Sequence, residues 1–397
     1  MADELIDIAA ARACVLAQAE ALEHERVPLA RALGRVLAEP VAAEADLPPF
    51  DSSALDGYVV ADTRGGDLPV VGESRAGAPP REALEPGQAM RISTGAVVPA
   101  GGVAVVGVER AKASDGRVTL PPSGDGANIR RAGEDMPAGE PVLAAGDDLG
   151  PAELGALAAI GRAEVACGGV PRVAVLTTGD ELVEPGTGPL GPGQIRNSNA
   201  YALAAQAERA GARVVVREIV RDTRAQTVDA LARALDAADV VVVSGGVSVG
   251  PHDHVKPALA DLGVEERFWR VALKPGKPTW FGTRGRKLVF GLPGNPVSAI
   301  VTFHLFARPA LRRLQGGDVH DTRSRARIDV AYPREVGRDQ VLRVRLEARP
   351  DGWHVTPTRP QGSHVLTSML GAAAFAVVPR GDGEVAAGSE LDIELIR

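Results

Sequence analysis

The middle of the chain, residues 168–317, alternates between short apolar runs and amphipathic stretches. The apolar runs, such as the four valines of 240–243, end in polar or glycine-rich turns, which is typical of strands buried on both faces of a sheet. The predicted strands are RVAVLTTGDEL, RVVVREIV, DVVVVSGG, FWRVALKPGKP and KLVFGLPGNP, and the predicted helices are NSNAYALAAQAERAGA, DTRAQTVDALARALDAA, HVKPALADLG and VSAIVTFHLFARPALRRL. The alternation predicts a doubly wound α/β domain built on a parallel sheet with helices on both faces.

The flanking regions follow other patterns. Residues 318–397 alternate with period two, as in RARIDVAY and LDIELI, which predicts a small C-terminal β-barrel. Residues 46–130 are rich in Pro and Gly and contain short strands, which predicts a separate β-rich module. Residues 1–45 and 131–167 are more helical, and we expect them to form one N-terminal helical or linker domain into which that module is inserted. The expected fold class is therefore α/β and multidomain.

Composition narrows the range of partners and locations. A chain of 397 residues is too long for one ordinary core. The net charge is −7 and basic residues form no run, so we expect no nucleic-acid partner. The N-terminus does not resemble a signal peptide, and no segment reaches the roughly 18 apolar residues that a membrane span needs, so we expect no membrane attachment. Cys14 and Cys167 fit two free thiols in a reducing cytoplasm.

Ligands of doubly wound sheets bind in the crevice outside the carboxyl ends of the strands. Four polar or glycine-rich segments are predicted at those ends: TTGDEL, SGGVSVGPHDH, KPGKP and GLPGNP. The second of them follows the four valines and is almost free of large side chains. We interpret its small residues as room for a ligand, rather than for protein, to approach the backbone.

Four acids lie at predicted strand ends: Asp180, Glu181, Asp222 and Asp253. Burying them together without a cation is costly, so they are either well separated and solvated or neutralised by a cation and by lysines. The nearby Lys274 and Lys277 favour the second reading, and such a rim suits a phosphate-bearing substrate with a divalent ion, preferably Mg²⁺.

Other readings of these segments stay open. A metal site built on His252 and His254 is disfavoured, because adjacent residues of an extended loop point apart. Asp180 has the alternative role of a turn or capping residue. The prolines of GLPGNP either mark an oxyanion site at a helix N-terminus or start the helix for structural reasons alone.

Taken together, the motifs resemble one known family. These motifs are PPFDSSALDGYVV, RISTGAVVPAG, IRRAGEDMPAG, LTTGDELVEPG, GQIRNSNAYAL, SGGVSVGPHDH, LKPGKPTWFG and GLPGNPVSA. They occur in the order found in the MoeA family of molybdopterin molybdenumtransferases, which is similar to the E domain of gephyrin. The resemblance runs from about residue 5 to residue 395, and a run of eight ordered motifs is far more specific than any one of them.

The resemblance implies an elongated, four-domain homodimer. Such enzymes take molybdate and adenylylated molybdopterin, cleave the phosphoanhydride with Mg²⁺, release AMP and leave molybdenum on the dithiolene. It further implies that the α/β domain binds molybdopterin and is MogA-like. The molybdopterin adenylyltransferase and the chaperones of molybdoenzymes are the expected further partners.

The resemblance also implies which residues act, with the site lying between the α/β domain of one subunit and the inserted module of the other. The expected catalytic residues are Asp56, Asp135, Glu181, Asp222 and Asp253, of which the last three would also hold the metal. The expected substrate-binding residues are Thr94, Arg130, Lys274, Lys277, Pro293, Pro296 and Ser363.

The chain departs from the family pattern at two places. Leu55 replaces the usual Met, which conserves volume, and the histidines that flank Asp253 replace other residue types. The sequence leaves three alternatives: an adenylyltransferase of the preceding step, which would need neither the inserted module nor the barrel; a tungstate-inserting relative; and a catalytically inactive scaffold. It also leaves open the roles of His252 and His254.

Overall fold

The computed structural model describes residues 5–247 and 253–396. Up to residue 170 the helices are α1 (Ile8–Gln18) and α2 (Pro151–Ala159). The strands of this part are β1 (Glu25–Pro28), β2 (Val41–Ala42), β3 (Ser52–Ser53), β4 (Gly57–Val60), β5 (Gly66–Ser74), β6 (Ala89–Ile92), β7 (Ala104–Gly107), β8 (Lys112–Ser114), β9 (Arg117–Leu120), β10 (Ile129–Arg130), β11 (Pro141–Leu143) and β12 (Glu164–Cys167).

Two antiparallel pairings join the segments on either side of the inserted module. Strand β1 pairs with β12, and β2 pairs with β11, so residues 25–42 and 141–167 form one structural unit. Its core contains Val27, Leu37, Leu149 and Leu157. This unit is less helical than the sequence indicates, because α2 is the one α-helix within it and the rest is short strands and turns.

The inserted module is a six-stranded sheet in the order β7-β4-β6-β5-β9-β8. Strand β4 is buried at all four positions, and its two faces contribute to separate apolar clusters: Tyr58 and Val60 to one, Val59 to the other. A two-residue pairing of β10 with β3 connects the end of the module to its start. Short strands and glycine turns therefore place residues 52–56, 92–96 and 129–135 at one end of the module.

The α/β domain follows. Its strands are β13 (Arg172–Thr178), β14 (Leu182–Val183), β15 (Ile195–Arg196), β16 (Arg213–Val220), β17 (Val240–Ser244), β18 (Glu265–Trp269), β19 (Leu273–Lys274), β20 (Trp280–Arg284) and β21 (Lys287–Leu292). Its helices are α3 (Ser198–Arg209), α4 (Arg224–Ala237), α5 (Val255–Asp261), α6 (Pro296–Thr302) and α7 (Arg308–Leu314), and the last two are joined by a π-helical turn, Phe303–Ala307.

The main sheet has the order β16-β13-β17-β21-β20-β18 and apolar cores on both faces. Strands β16, β13, β17 and β21 are parallel, and β17 is buried throughout, as a strand covered on two sides must be. One core contains Leu203 of α3 together with Val242, and the other contains Leu231 of α4 together with Val241. The alternating valines therefore serve both faces, and the doubly wound prediction is confirmed.

The sequence prediction was wrong at one edge of this sheet. Strands β20 and β18 run antiparallel to their neighbours, and β20 was not predicted. The segment FWRVALKPGKP is not one strand: β18 ends at Trp269, and β19 leaves the sheet to pair with the C-terminal domain. The hairpin between β20 and β21 turns at Gly285, whose φ of 57° suits glycine.

The C-terminal domain is a closed five-stranded barrel, as predicted. The strands after residue 317 are β22 (Arg323–Ile328), β23 (Tyr332–Pro333), β24 (Asp339–Arg349), β25 (Gly352–Pro357), β26 (Ala374–Val378), β27 (Glu384–Val385) and β28 (Glu390–Leu395). The order β24-β25-β22-β28-β26 closes because β26 also pairs with β24. Closure leaves no long open edge, so the barrel does not expose unpaired backbone along a strand.

Helix α1 contacts both the α/β domain and the C-terminal barrel. It packs against the α/β domain through Ala11 and Val15, which belong to the same apolar cluster as α3 and α7. The Arg12 guanidinium donates to Glu394 Oε1 at 2.5 Å, so α1 also contacts β28 of the barrel. No helix within residues 5–247 and 253–396 is long and apolar enough to cross a bilayer.

Candidate active site

The candidate site begins at the point where the chain reverses direction across the sheet. From β13 the chain passes through α3 to β16 on one side, and then returns through α4 to β17 on the other side of β13. The helices lie on opposite faces, so the loops after β13 and β17 separate and leave a crevice between them. The described residues of the predicted polar segments after β13, β17 and β21 begin at this edge, because these three strands are parallel.

The glycines that follow β17 have a different role from the one the sequence suggested. A Cβ on Gly245 would lie 2.6 Å from Thr178 Oγ1, and one on Gly246 would lie 2.7 Å from Val255 Cγ2. Both residues also have positive φ, 98° and 66°. Protein atoms, and not a ligand, therefore exclude side chains here, so the prediction of open backbone is wrong for these two glycines.

Two carboxylates meet at the first of these loops. Asp222, after β16, accepts a hydrogen bond from the backbone N–H of Asp180 at 3.4 Å, and Asp180 accepts one from that of Asp222 at 3.3 Å. The Arg221 guanidinium donates to the carbonyl of Asp180 at 3.0 Å. Glu181 follows at once and is exposed. The reciprocal bonds hold the two side chains near each other at the mouth of the crevice.

The predicted metal ligands are thus only partly brought together. Within residues 5–247 and 253–396, no group of three or more His, Cys, Asp or Glu side chains is placed to hold a metal ion. A pair of oxygen donors such as Asp180 and Asp222 nevertheless suits Mg²⁺, because this ion usually keeps several waters and takes further ligands from substrate phosphates. The donor set fits a metal that arrives with its substrate, rather than one enclosed by protein.

Asp253 and its neighbours flank the second loop. Asp253 is half-buried and lies two residues before α5, and His254 is the residue from which that helix starts. The prediction about His252 lies outside the described residues. Three residues further on, burial lowers the pKa of Lys256, and the charges of Glu266 and Asp253 partly oppose that shift. Asp253 is therefore close enough to a cation to interact with it electrostatically.

A polar network supports the third loop, which contains the predicted Pro293 and Pro296. The Asn199 side chain donates to Ser244 Oγ at 2.9 Å and to the carbonyl of Gly294 at 2.7 Å. The Ser244 hydroxyl donates to the carbonyl of Pro293 at 3.0 Å. Pro296 is the first residue of α6, where a missing N–H costs nothing. The network fixes the end of β17 and the start of α6 relative to each other.

Ser363 of the C-terminal domain reaches the same helix start. Its carbonyl accepts from the Val297 N–H at 3.2 Å, and its hydroxyl accepts from Asn295 Nδ2 at 3.0 Å. The loop that carries Ser363 is tied to the barrel by Arg343, whose Nε donates to Ser368 Oγ at 3.0 Å. Burial lowers the pKa of Arg343 to about 10. The predicted Ser363 thus lies beside the predicted prolines.

The two predicted lysines are exposed on the segment after β18. Lys274 belongs to β19 and forms an ion pair with Glu335 of the barrel. Lys277 is exposed, and its carbonyl accepts a hydrogen bond from the Val271 N–H at 2.9 Å, which folds the segment back on itself. An exposed ammonium on a short, tied segment can approach an oxyanion without a large change in backbone conformation.

The remaining four predicted residues lie on the inserted module. Asp56 accepts from the backbone N–H of Thr94 at 2.8 Å and from its hydroxyl at 3.2 Å, which joins two of the predicted motifs. Arg130 and Asp135 line a cleft of about 830 Å³ together with Phe50, an aromatic side chain that is 40% exposed. All four predicted side chains are exposed.

A well-ordered contact supports this end of the module. Asp51 accepts from the Ala132 N–H at 2.9 Å and from Arg131 Nη1 at 2.6 Å. These two hydrogen bonds, in that order of importance, hold the pKa of Asp51 below its usual value. The bonds connect the segment before Asp56 to the segment that contains Arg130 and Asp135.

The predicted residues therefore form two groups within one chain. The rim group lies on the α/β domain and the adjoining barrel loop: Glu181, Asp222, Asp253, Lys274, Lys277, Pro293, Pro296 and Ser363. The module group is Asp56, Thr94, Arg130 and Asp135. None of these four forms a hydrogen bond or ion pair with the rim group among the residues that the structure describes.

Comparisons with known proteins show which family the chain belongs to. Sequence models of three family regions match: the MoeA N-terminal region, domains I and II, at residues 6–161; a probable molybdopterin-binding domain at 174–313; and the MoeA C-terminal region, domain IV, at 325–396. A protein named molybdopterin molybdenumtransferase from Haemophilus influenzae is 37% identical over 382 residues, with 94% of each chain covered. The chain belongs to the MoeA family.

Other MoeA relatives extend the match. Molybdopterin molybdenumtransferase 2 of Mycobacterium tuberculosis is 40% identical, with 92% of this chain and 94% of the relative covered. The crystal structure of a MoeA protein from Pyrococcus horikoshii has 31% sequence identity and superposes with a TM-score of 0.83, covering 99% of this chain and all of that one. The MoeA resemblance read from the motifs is thereby confirmed.

The structure also shows polar residues that the sequence reasoning did not single out. Asn199 lies within the MoeA motif GQIRNSNAYAL, where the sequence predicts the start of a helix. The capping of that helix by an Asn or Ser accounts for one of the polar residues and gives Asn199 no role of its own. Its neighbour Asn197 does cap α3, and it also donates to Thr177 Oγ1 and to Glu184 Oε1, both at 3.0 Å. The motif contains two asparagines, although one helix start needs only one capping residue. The second asparagine was therefore the sequence feature that could have indicated a further polar contact.

Proposed function

We propose that this chain inserts molybdenum from molybdate into adenylylated molybdopterin, releasing AMP and giving Mo-molybdopterin. The observation that carries the proposal is the crevice at the chain-reversal point, where the paired carboxylates of Asp180 and Asp222 follow two strands of the sheet and the polar network around Ser244 supports the loop before α6. The names of the relatives supply the reaction, and the rim supplies groups that suit it: cations for a tetrahedral dianion and oxygen donors for a divalent ion.

The chain's own residues would act mainly through charge and position. The reaction brings two anions together, so neutralising and orienting them matters more than moving protons. Lys274 and Lys277 would bind the oxyanion. Asp222, beside Asp180, would bind Mg²⁺ together with oxygens of the substrate phosphates, and Glu181 and Asp253 are the further ligands that the resemblance implies. When bound, this ion would offset charge on the phosphoanhydride oxygens as the bond to AMP breaks.

The test is AMP release from adenylylated molybdopterin by the purified protein with Mg²⁺, with and without molybdate. We expect release that depends on molybdate, together with molybdenum recovered on the dithiolene. Parallel reactions with tungstate decide which oxyanion is preferred. Tight nucleotide binding without oxyanion-dependent release would contradict the proposal and support an inactive scaffold.

We further propose that the working enzyme is a homodimer in which the module group of one copy completes the rim group of the other. The exposure of Asp56, Thr94, Arg130 and Asp135, and their lack of bonds to the rim within one chain, support this arrangement. Sedimentation analysis is expected to give twice the mass of 41.1 kDa. A monomer with full activity would contradict it.

The setting proposed for this reaction is the cytoplasm, which would bring the enzyme to the adenylyltransferase that supplies its substrate and to the chaperones that receive its product. Cys14 and Cys167 support a reducing location, since both are free thiols whose pKa is raised by burial. Cell fractionation of a tagged chain tests the location.

A further inference from the structure

We infer that Trp269 is a positioning residue for Asp253, acting through one contact on each side of the loop that follows β17. The inference rests on the proposed function, in which Asp253 acts at the rim. Trp269 is the last residue of β18 and lies outside every motif that the resemblance identified. Among residues 5–247 and 253–396, its contacts on the side of the site are with Val247 and Lys256.

The first contact holds the residue that leads into the loop. The Trp269 indole N–H donates to the carbonyl of Val247 at 3.2 Å. Val247 is 2% exposed and packs over β21, where a Cβ on Gly291 would lie only 2.7 Å from Val247 Cγ1. Val247 is therefore fixed from below by the sheet and from the side by the indole.

The second contact holds the helix that follows Asp253. Lys256, in the first turn of α5, places its ammonium 3.4 Å from the centroid of the Trp269 ring. A cation over an indole face is the strongest form of cation–π contact, more so where water is partly excluded, and Lys256 is half-buried. Because Asp253 lies three residues before Lys256, the contact restrains the backbone from which the carboxylate projects.

The surroundings of Trp269 are built to keep the ring in place. Trp269 pairs across the sheet with Trp280, whose indole N–H donates to Glu266 Oε2 at 2.5 Å. The Arg270 guanidinium lies 4.0 Å from the Trp269 ring centroid, and Arg270 has a φ of 69°, a left-handed conformation that L residues rarely adopt. A strained residue next to an indole that contacts two cations indicates that the ring position is specified.

Three variants separate the two contacts. Trp269→Phe keeps an aromatic face for Lys256 and removes the N–H donor. Lys256→Met removes the cation and keeps the donor. Trp269→Leu removes both. The matched control is Trp353→Leu, since Trp353 is 45% exposed on β25 of the barrel and has no part in the site.

The first readout is steady-state molybdate-dependent AMP release. Misplacing a reacting group by about 1 Å can cost about 100-fold in rate, so we expect kcat to fall by about 10- to 100-fold in Trp269→Leu and less in the two single-contact variants. KM for adenylylated molybdopterin is expected to stay within about twofold of wild type, since Trp269 does not bind substrate. The control is expected to match wild type in both constants.

The second readout does not depend on the reaction. Amide hydrogen exchange in Val255–Asp261 is expected to accelerate in Trp269→Leu and not in the control, while the rest of the α/β domain keeps wild-type protection. Unchanged exchange, an unchanged kcat, or equal losses in the control would each overturn the inference. If Trp269→Leu does not fold, the two single-contact variants decide. A wild-type protein that releases no AMP would refute the proposed function, and the exchange result would still decide whether the indole holds the loop.

Discussion

The rim group and the module group are built in different ways. On the rim, the loops are tied to one another by buried polar contacts, such as that of Ser244 with the carbonyl of Pro293, and they rest on a sheet covered on both faces. On the module, Asp56 and Thr94 bind each other on an exposed surface, and Arg130 comes from a strand of two residues. One half of the candidate site is internally supported, and the other half faces outward.

This difference indicates which electrostatic contribution the rim group and the module group can each make. Electrostatic stabilisation needs fixed donors, which cost no reorganisation during the reaction, and the rim can provide them without help. Exposed groups on the module gain their full electrostatic effect only when water is excluded around them. The module group would therefore contribute when a second copy closes the site.

The largest expected effect is loss of a rim carboxylate. Asp253→Ala is expected to fold as wild type and to lose about 100-fold or more in molybdate-dependent AMP release, because the site would lose a fixed charge beside the substrate. Thermal unfolding checks the fold, and Asp229→Ala, an exposed aspartate on α4, is the control. Retained activity would remove Asp253 from the mechanism.

Mixing two inactive variants tests most directly whether the rim group of one copy works with the module group of another. Asp56→Ala and Asp253→Ala are each expected to be inactive alone. If a site combines the rim of one copy with the module of the other, mixed dimers contain one intact site, and equal mixing should restore about one quarter of wild-type activity. No recovery in dimers shown to be mixed would place both groups within one chain.

A smaller effect is expected from weakening the support of the rim. Asn199→Ala removes two side-chain hydrogen bonds and leaves Ser244 and Gly294 with fewer partners, so it is expected to cost about 1–3 kcal/mol in the free energy of unfolding. Denaturant unfolding measures the loss. Asn199→Asp tests the donor specifically, since an ionised carboxylate has no hydrogen to donate to the Gly294 carbonyl. An unchanged stability in both variants would show that the rim does not depend on this network.

The smallest effect is a pH dependence on the module. Hydrogen bonds from Ala132 and Arg131 lower the pKa of Asp51 in the folded state. The unfolded chain then binds the proton more tightly, so this stabilisation is present above the usual pKa of about 3.8 and is lost as pH falls through the folded value. The difference in Tm between wild type and Asp51→Asn should therefore shrink below about pH 4. A constant difference would assign the effect to the amide itself.

The sequence was sufficient to predict those strands whose burial pattern can be read from consecutive residues. Four valines at 240–243 predict a buried central strand, and period-two alternation predicts the barrel strands, because burial on one or two faces leaves a direct pattern. Strand β20 was missed because TWFGTRGRKLVF reads as one apolar stretch with a polar interruption, although it is a hairpin. Its antiparallel direction follows from the short turn at Gly285, a local signal that the apolar pattern does not show.

The residues of the candidate site were easier to predict from the sequence than their contacts with one another. The family resemblance implies roles for Asp222 and Asp253, but it does not show that Asp222 pairs with Asp180 or that two glycines are crowded by Thr178 and Val255. Trp269 carries no motif, because its contribution lies in an N–H bond and a ring face that exist only after β18 is placed beside β20. Such contacts are properties of the fold.

Strand β19 links the position of one predicted substrate-binding lysine to the C-terminal barrel. Lys274 lies in the α/β segment of the chain, yet it pairs with Gln340 of the barrel, as Leu273 pairs with Asp339, and its ammonium contacts Glu335 there. Lys277, three residues later, is anchored instead to Val271. The two lysines are therefore held by contacts with different domains. Under the proposed function, a rotation of the barrel relative to the α/β domain would change the distance between the two groups that bind the oxyanion.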